Sequence, residues 1–230
     1  TASIIPAVSA CRAKKDRKGA AKIVGSSLRV TALLAFPAGV GLCVLGTPIV
    51  KLLFHSLDAE ISGPLLSILG IAAIFVCVMQ VTNAVLQANG FVFLPIVTMV
   101  IGGVVMIIFD YITVGIPSIN IFGSPIGTAI CYAIVSGLNL ITVKRVVRGC
   151  PSFLSLFAKP AIAAAGMGVV ALAAYRLVSR FLGNTIGIFA SILLAVVVYA
   201  VLVLALKAIS RDDLSLMPKG DKLAKILHIQ

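Results

Sequence analysis

PLLSILGIAAIFVCVMQVTNAVLQANGFVFLPIVTMVIGGVVMIIFDYITV, residues 64–114, carries a single charged side chain, Asp110. A helix needs about 20 apolar residues at 1.5 Å rise to cross a hydrocarbon core of about 30 Å. This stretch holds two such runs, 64–87 and 91–114, separated only by Ala88, Asn89 and Gly90. The spacing predicts two membrane spans joined by a tight hairpin and lying together as antiparallel neighbours.

Four further apolar runs flank this pair, at 30–50, 121–143, 153–178 and 184–206. The fold class is therefore all-α: a polytopic membrane helix bundle of six transmembrane helices. Composition agrees. Of the 230 residues, 60% are hydrophobic and 11% charged, and mean hydropathy is +1.17. A soluble domain is about a quarter charged, because it must cover its surface with polar groups. Pro37 predicts a kink in the first span, and Pro64 suits the first turn of the second. Small residues four apart, Ala161 with Ala165 and Ala164 with Gly168, predict close helix packing in the fifth span, and Gly102 and Gly103 read the same way in the third.

The chain divides into four parts. Residues 1–29 hold the end of a preceding helix, broken near Pro6, and a basic linker. Residues 30–143 hold four spans, 144–206 two more, and 207–230 a polar tail with a short helix around 222–227. The first residue is Thr1, and no signal-peptide pattern opens the chain, which is expected to be a portion of a longer protein.

The net charge is +12, and its placement sets the orientation. When sides are assigned alternately, sixteen of the 19 basic residues fall on the side that holds both termini. They include Arg12, Lys14, Lys15, Arg17, Lys18, Lys22 and Arg29 near the start, and Lys144, Arg145 and Arg148 between the fourth and fifth spans. Only Lys51, Arg176 and Arg180 fall on the other side. Cytoplasmic loops carry the excess of Lys and Arg, so both termini are predicted to be cytoplasmic, in the plasma membrane of a bacterium. The same charge in so apolar a chain points to anionic phospholipids and away from nucleic acid. For residues 10–28 two readings stand, a solvated connector or a helix lying on the membrane surface; helix propensity favours the second.

Candidate chemistry is sparse. Cys11, Cys43, Cys77, Cys131 and Cys150 form no CxxC pair, no HExxH is present, and no glycine-rich phosphate loop follows a strand, so no catalytic residue, metal or cofactor is expected. Gln80, Asn83 and Gln87 recur at helical spacing on one face of the second span. Lipid offers no hydrogen bonds, so such a face meets either another helix or a water-filled cavity. Asp110 is either an interfacial carboxylate beside Tyr111 that reaches water at the membrane rim, or a cavity-facing charge. These four residues are the substrate-cavity candidates.

The order of parts resembles a family. IIPAVSACRAKKDRKGAAKIVGSSLRVTALLAFPAGVGLCVLGTPIVKLLF, residues 4–54, is similar to the region after the eighth helix of polysaccharide-biosynthesis and stage V sporulation protein B-like exporters. There a P-A-[VI]-S stretch, here Pro6 to Ser9, precedes a basic linker, and Pro48 to Phe54 matches the close of the next helix. VTNAVLQANG at 81–90 and FGSPIGTAICY at 122–132 fit the same family. The resemblance covers nearly the whole chain and implies the multidrug/oligosaccharidyl-lipid/polysaccharide exporter superfamily, which includes lipid II flippases. It implies a two-lobe, fourteen-helix fold of which this chain is helices nine to fourteen, with the N-terminal lobe of the same polypeptide as partner. Alternating access would then carry a lipid-linked sugar across the membrane for cell-wall or spore-envelope biogenesis, and this chain alone would lack one wall of the cavity. The arginines that meet pyrophosphate in the family lie mostly in the other lobe. A drug/cation antiporter of the same superfamily and a non-transport membrane scaffold are the alternatives.

Overall fold

The structure, a computed structural model, describes residues 4–54, 59–117, 119–147, 149 and 152–206. Its helices are α1 (Ile4–Ala13), α2 (Arg17–Leu53), α3 (Ala59–Ala88), α4 (Phe93–Val114) and α5 (Gly123–Val146), the last preceded by a 3₁₀ turn at Asn120–Phe122. A further helical run, Phe153–Ala205, is broken at Gly183, whose φ of 80° and ψ of 172° no helix accommodates. The break divides it into α6 (Phe153–Phe181) and α7 (Gly183–Ala205). Six of these helices, α2 to α7, are long and apolar enough to cross a membrane. The expected spans at 64–87, 91–114, 121–143, 153–178 and 184–206 each match one helix to within a few residues. The expected tail helix at 222–227 lies outside the described residues.

The first span differs from expectation. α1 ends at Ala13, the chain turns through Lys15 at φ 56°, and Asp16 caps the next helix by accepting from the Gly19 amide at 2.9 Å. From Arg17 the helix continues without interruption through residue 29 to Leu53. Its 37 residues extend about 55 Å, well beyond the thickness of the hydrocarbon. From Arg17 on, the basic linker is therefore not a separate helix but the first turns of α2, while Arg12, Lys14 and Lys15 lie on the end of α1 and the turn. An apolar underside dictates this. Ala21, Val24 and Leu28 are buried against Val8 of α1, Val81 and Val85 of α3, Val143 of α5 and Leu156 of α6. Lys18 and Lys22 stand outside that face, exposed.

The helices pack in a row. α6 and α7 lie against α2, α2 against α3, α3 against α5, and α5 against α4. Although α3 and α4 are joined by a tight turn, they touch at few positions, so the expected side-by-side hairpin is splayed with α5 alongside both. The turn itself forms as the sequence indicates. Gly90 at φ 84° ends α3 in a Schellman motif, with Phe91 N–H donating to the Leu86 carbonyl and Gly90 N–H to the Gln87 carbonyl.

The contact between α2 and α3 is made backbone to backbone. A Cβ at Gly70 would fall 2.7 Å from the Gly39 carbonyl oxygen, and one at Gly46 would fall 2.8 Å from the Gly63 carbonyl oxygen. On each helix the two glycines are seven residues apart, about two turns, which returns them to one face. Gly39 opposes Gly70 and Gly46 opposes Gly63, the register of an antiparallel pair. Among the stripes read from the sequence, Ala164 and Gly168 are buried, Gly168 against Val40 of α2, while Ala165 points outward. Gly102 packs on Val135 and Cys131 of α5, whereas Gly103 meets nothing within 4 Å.

Pro37 lies inside α2, where its missing N–H leaves the Leu33 carbonyl without its helical partner. The Tyr199 hydroxyl of α7 donates to that carbonyl at 2.8 Å. A neighbouring helix thus supplies the hydrogen bond that the proline removed, as lipid cannot. Around it, Ala163, Val203, Leu33 and Leu202 seal the contact.

Two outcomes follow for thermal unfolding in detergent. Gly70→Leu forces a side chain into the Gly39 carbonyl and destabilises the protein by about 3 kcal/mol or more. Gly41→Leu, on α2 two residues from Gly39 and with nothing within 4 Å of its Cβ, is tolerated. Tyr199→Phe lowers stability by about 0.5–1.5 kcal/mol. That loss shrinks on a Pro37→Ala background, where residue 37 regains an N–H for the Leu33 carbonyl.

Candidate functional site

The polar face of α3 divides in two. Asn83 is half-buried, and its Oδ1 accepts from Asn139 Nδ2 of α5 at 2.7 Å. Asn139 is fully buried, and its Oδ1 accepts from the Thr98 hydroxyl of α4 at 2.9 Å, with the Pro95 carbonyl at 3.1 Å as the hydroxyl's other acceptor. One amide thereby joins three helices. Asn139 links α3 and α4, which touch each other at few positions, by way of α5. Gln80 and Gln87 lie outside the network and are exposed. The interhelical reading therefore holds for Asn83, and the two glutamines remain as a polar edge facing away from the packed row.

Asp110 stands apart from this face. It follows Thr98 by twelve residues on α4, about 18 Å along the axis. Its carboxylate packs on Gly127 of α5, where a Cβ would collide with Oδ1. Asp110 Oδ1 is buried and has no hydrogen-bond partner among the described residues, while Tyr111 beside it is 87% exposed. One carboxylate oxygen is thus directed into the α4–α5 contact, where Gly127 has no side chain, while Asp110 as a whole is half-buried. The substrate-cavity candidates do not converge: Gln80 and Gln87 share one edge, Asn83 is engaged between helices, and Asp110 lies toward the other end of the bundle.

The basic candidates do converge. Arg12, Lys14, Lys15, Arg17, Lys18 and Lys22 are all exposed, on the end of α1, the turn and the start of α2. Lys144 and Arg145, in the last turn of α5, lie at the same end, over the apolar cluster that joins α1, α2, α3, α5 and α6. At the opposite end Lys51 pairs with Glu60 at 4.0 Å, with both side chains in large part exposed.

Thr98 and Asn139 were not among the sequence candidates. Asn139 had a visible signal, since it is an amide in the middle of the apolar run LNLITV at 138–143. Thr98 had none, because a threonine in a span ordinarily bonds its own helix.

Apolar spans, interhelical hydrogen bonds among buried amides and a basic collar at one end define a polytopic α-helical membrane protein. Residues 1–194 match the model of the lipid II flippase MurJ family, and the chain belongs to that family. The match runs through α1 to α6 and ends inside α7, so the likeness seen in residues 4–54, 81–90 and 122–132 extends over the intervening spans. The chain is also 25% identical over 233 residues to the uncharacterized membrane protein YabM of Bacillus subtilis (strain 168), covering 98% of this chain and 42% of YabM. It therefore spans less than half the length of that relative. No solved structure matches it.

Cysteine substitution distinguishes the two parts of the polar face. In the membrane-embedded protein, Gln80→Cys and Gln87→Cys are expected to react with a water-soluble maleimide at least about tenfold faster than Asn139→Cys, whose position is closed on all sides. Protection of both glutamine positions from both sides of the membrane would remove water from that edge.

Proposed function

We propose that this chain is part of a flippase that moves a lipid-linked oligosaccharide or cell-wall precursor across the bacterial plasma membrane. The observation that carries the reading is the match to the lipid II flippase family over residues 1–194. On this reading the chain is the C-terminal part of a two-lobe, MATE-like transporter, and an N-terminal lobe of the same polypeptide completes the cavity. The two lobes rock about that cavity, opening it first to one side and then to the other. The polar head group crosses through it while the polyprenyl tail stays in hydrocarbon. No bond is made or broken, so the protein acts as a transporter and not as an enzyme.

The exposed edge of α3 supports this assignment. Two glutamines left facing lipid would lose their hydrogen bonds, which makes Gln80 and Gln87 a wall of the cavity or the seam with the other lobe. Sugar hydroxyls are suitable partners for carboxamides, which both donate and accept. Asn83 contributes to that wall from behind, held in place by Asn139. The basic collar lies on the cytoplasmic side, where anionic phospholipids attract it. A second reading, a drug/cation antiporter, draws on Asp110, whose buried oxygen has no hydrogen-bond partner among the described residues. It ranks below the first because the family is one of lipid flippases.

The test is flipping of a fluorescent lipid-linked sugar in liposomes by the full-length protein. Gln80→Leu with Gln87→Leu is expected to lower the rate at least about fivefold, with folding unchanged because both side chains are outside the packed row. Wild-type rates in that variant would exclude the glutamines from the path. Absence of flipping by the wild type, together with drug/cation exchange that Asp110→Asn abolishes, would favour the antiporter.

A further inference from the structure

A cavity of about 470 Å³ opens at the basic end of the bundle. Four segments enclose it: the end of α1 with Cys11 and Arg12, the turn and first residues of α2 with Lys15, Asp16 and Arg17, the cap of α3 at Asn89, and the end of α5 at Val146 and Val147. Three of its lining side chains are cationic. Asp16 is the single acid among the described lining residues, and its Oδ1 already accepts from the Gly19 amide.

The cations are directed there by local structure. Arg12 reaches across to the α3–α4 turn because Gly90 has no side chain, and a Cβ there would fall 2.8 Å from Arg12 Nη1. Asn89 donates through Nδ2 to the Val85 carbonyl at 2.8 Å, which holds it at the rim as the cap of α3. Lys15 and Arg17 flank the N-terminus of a 37-residue helix, where the helix dipole adds positive potential. Val146 and Val147 supply an apolar floor.

We propose that this cavity is a binding site for a dianionic phosphate, a phosphomonoester or pyrophosphate group. Three cations against one carboxylate leave a formal charge of +2, which a dianion neutralises and a phosphodiester does not. Two guanidinium groups supply the planar forks that bind phosphate oxygens in pairs, and Lys15 adds a point charge. The volume lies within the range of small-ligand sites. The same chemistry is offered by a lipid headgroup such as phosphatidic acid and by a soluble pyrophosphate, and the site's position beside the α3–α4 turn gives access from either phase. The proposal does not rest on the transport reading, because it concerns equilibrium binding, and none of Gln80, Asn83, Gln87 and Asp110 lines the cavity.

The test uses the full-length protein in neutral detergent, titrated with inorganic pyrophosphate by calorimetry. In parallel, the protein is placed in phosphatidylcholine nanodiscs with and without phosphatidic acid, with bound lipid counted by native mass spectrometry. One saturable site is expected, for pyrophosphate if the natural source is soluble and for phosphatidic acid if it is the headgroup. Replacing Arg12, Lys15 and Arg17 together by Gln is expected to weaken that binding about tenfold or more. Replacing Lys14, Lys18 and Lys144 by Gln removes the same charge outside the cavity and is expected to change it less than about twofold. All six side chains are exposed, so both variants fold, and Arg12→Gln alone provides a milder third case. Absence of saturable binding for both probes, or equal losses in the two triple variants, would overturn the site.

Discussion

The bundle depends on α2 and α3 touching through their backbones. In lipid the hydrocarbon chains are as apolar as leucine, so helices gain little from burying greasy side chains against one another. What holds them is close van der Waals contact, which requires the two main chains to approach without side chains between them. Gly39 opposite Gly70 and Gly46 opposite Gly63 provide that approach twice, on one antiparallel seam. Every other helix is placed by way of this pair, since α6 and α7 pack on α2, and α5, which carries α4, packs on α3.

A second constraint is that buried polar groups must find partners inside the protein. The Leu33 carbonyl, freed by Pro37, takes the hydroxyl of Tyr199, which fixes where α7 crosses α2. Asn139 takes both Asn83 and Thr98, which fixes how far α4 swings from α3. Among the described residues Asp110 is the exception, with one oxygen buried against Gly127 and without a hydrogen-bond partner there. A polar group left without a partner in a low-dielectric setting costs stability and adds none.

The two ends of the molecule differ in character. At one end a long α2 carries its basic residues above an apolar underside that packs on α1, α3, α5 and α6. The charges are therefore held on a rigid element and not on a flexible connector. At the other end few charges stand, and Lys51 with Glu60 forms an exposed pair that contributes little to stability. This asymmetry gathers the basic residues, and the cavity they line, at one end of the bundle.

Spans, their number and their alternation were legible along the chain, because run length and charge poverty are local properties that lipid thickness alone converts into helices. Family membership was legible too, in residues 4–54, 81–90 and 122–132, because order and spacing survive without any knowledge of packing. Even the tight turn at Gly90 could be read. Which face of each helix meets which neighbour could not. Gly39 and Gly41 look alike in sequence, yet one touches a carbonyl and the other nothing. Gln80 and Asn83 share a helical face, yet only Asn83 is paired, through an asparagine 56 residues away. Contact is a property of two surfaces at once, and in an apolar chain nearly every surface is equally greasy. Only the tertiary structure, by bringing glycine to glycine and amide to amide, selected the seam and divided the polar residues into those that hold the bundle and those left facing outward.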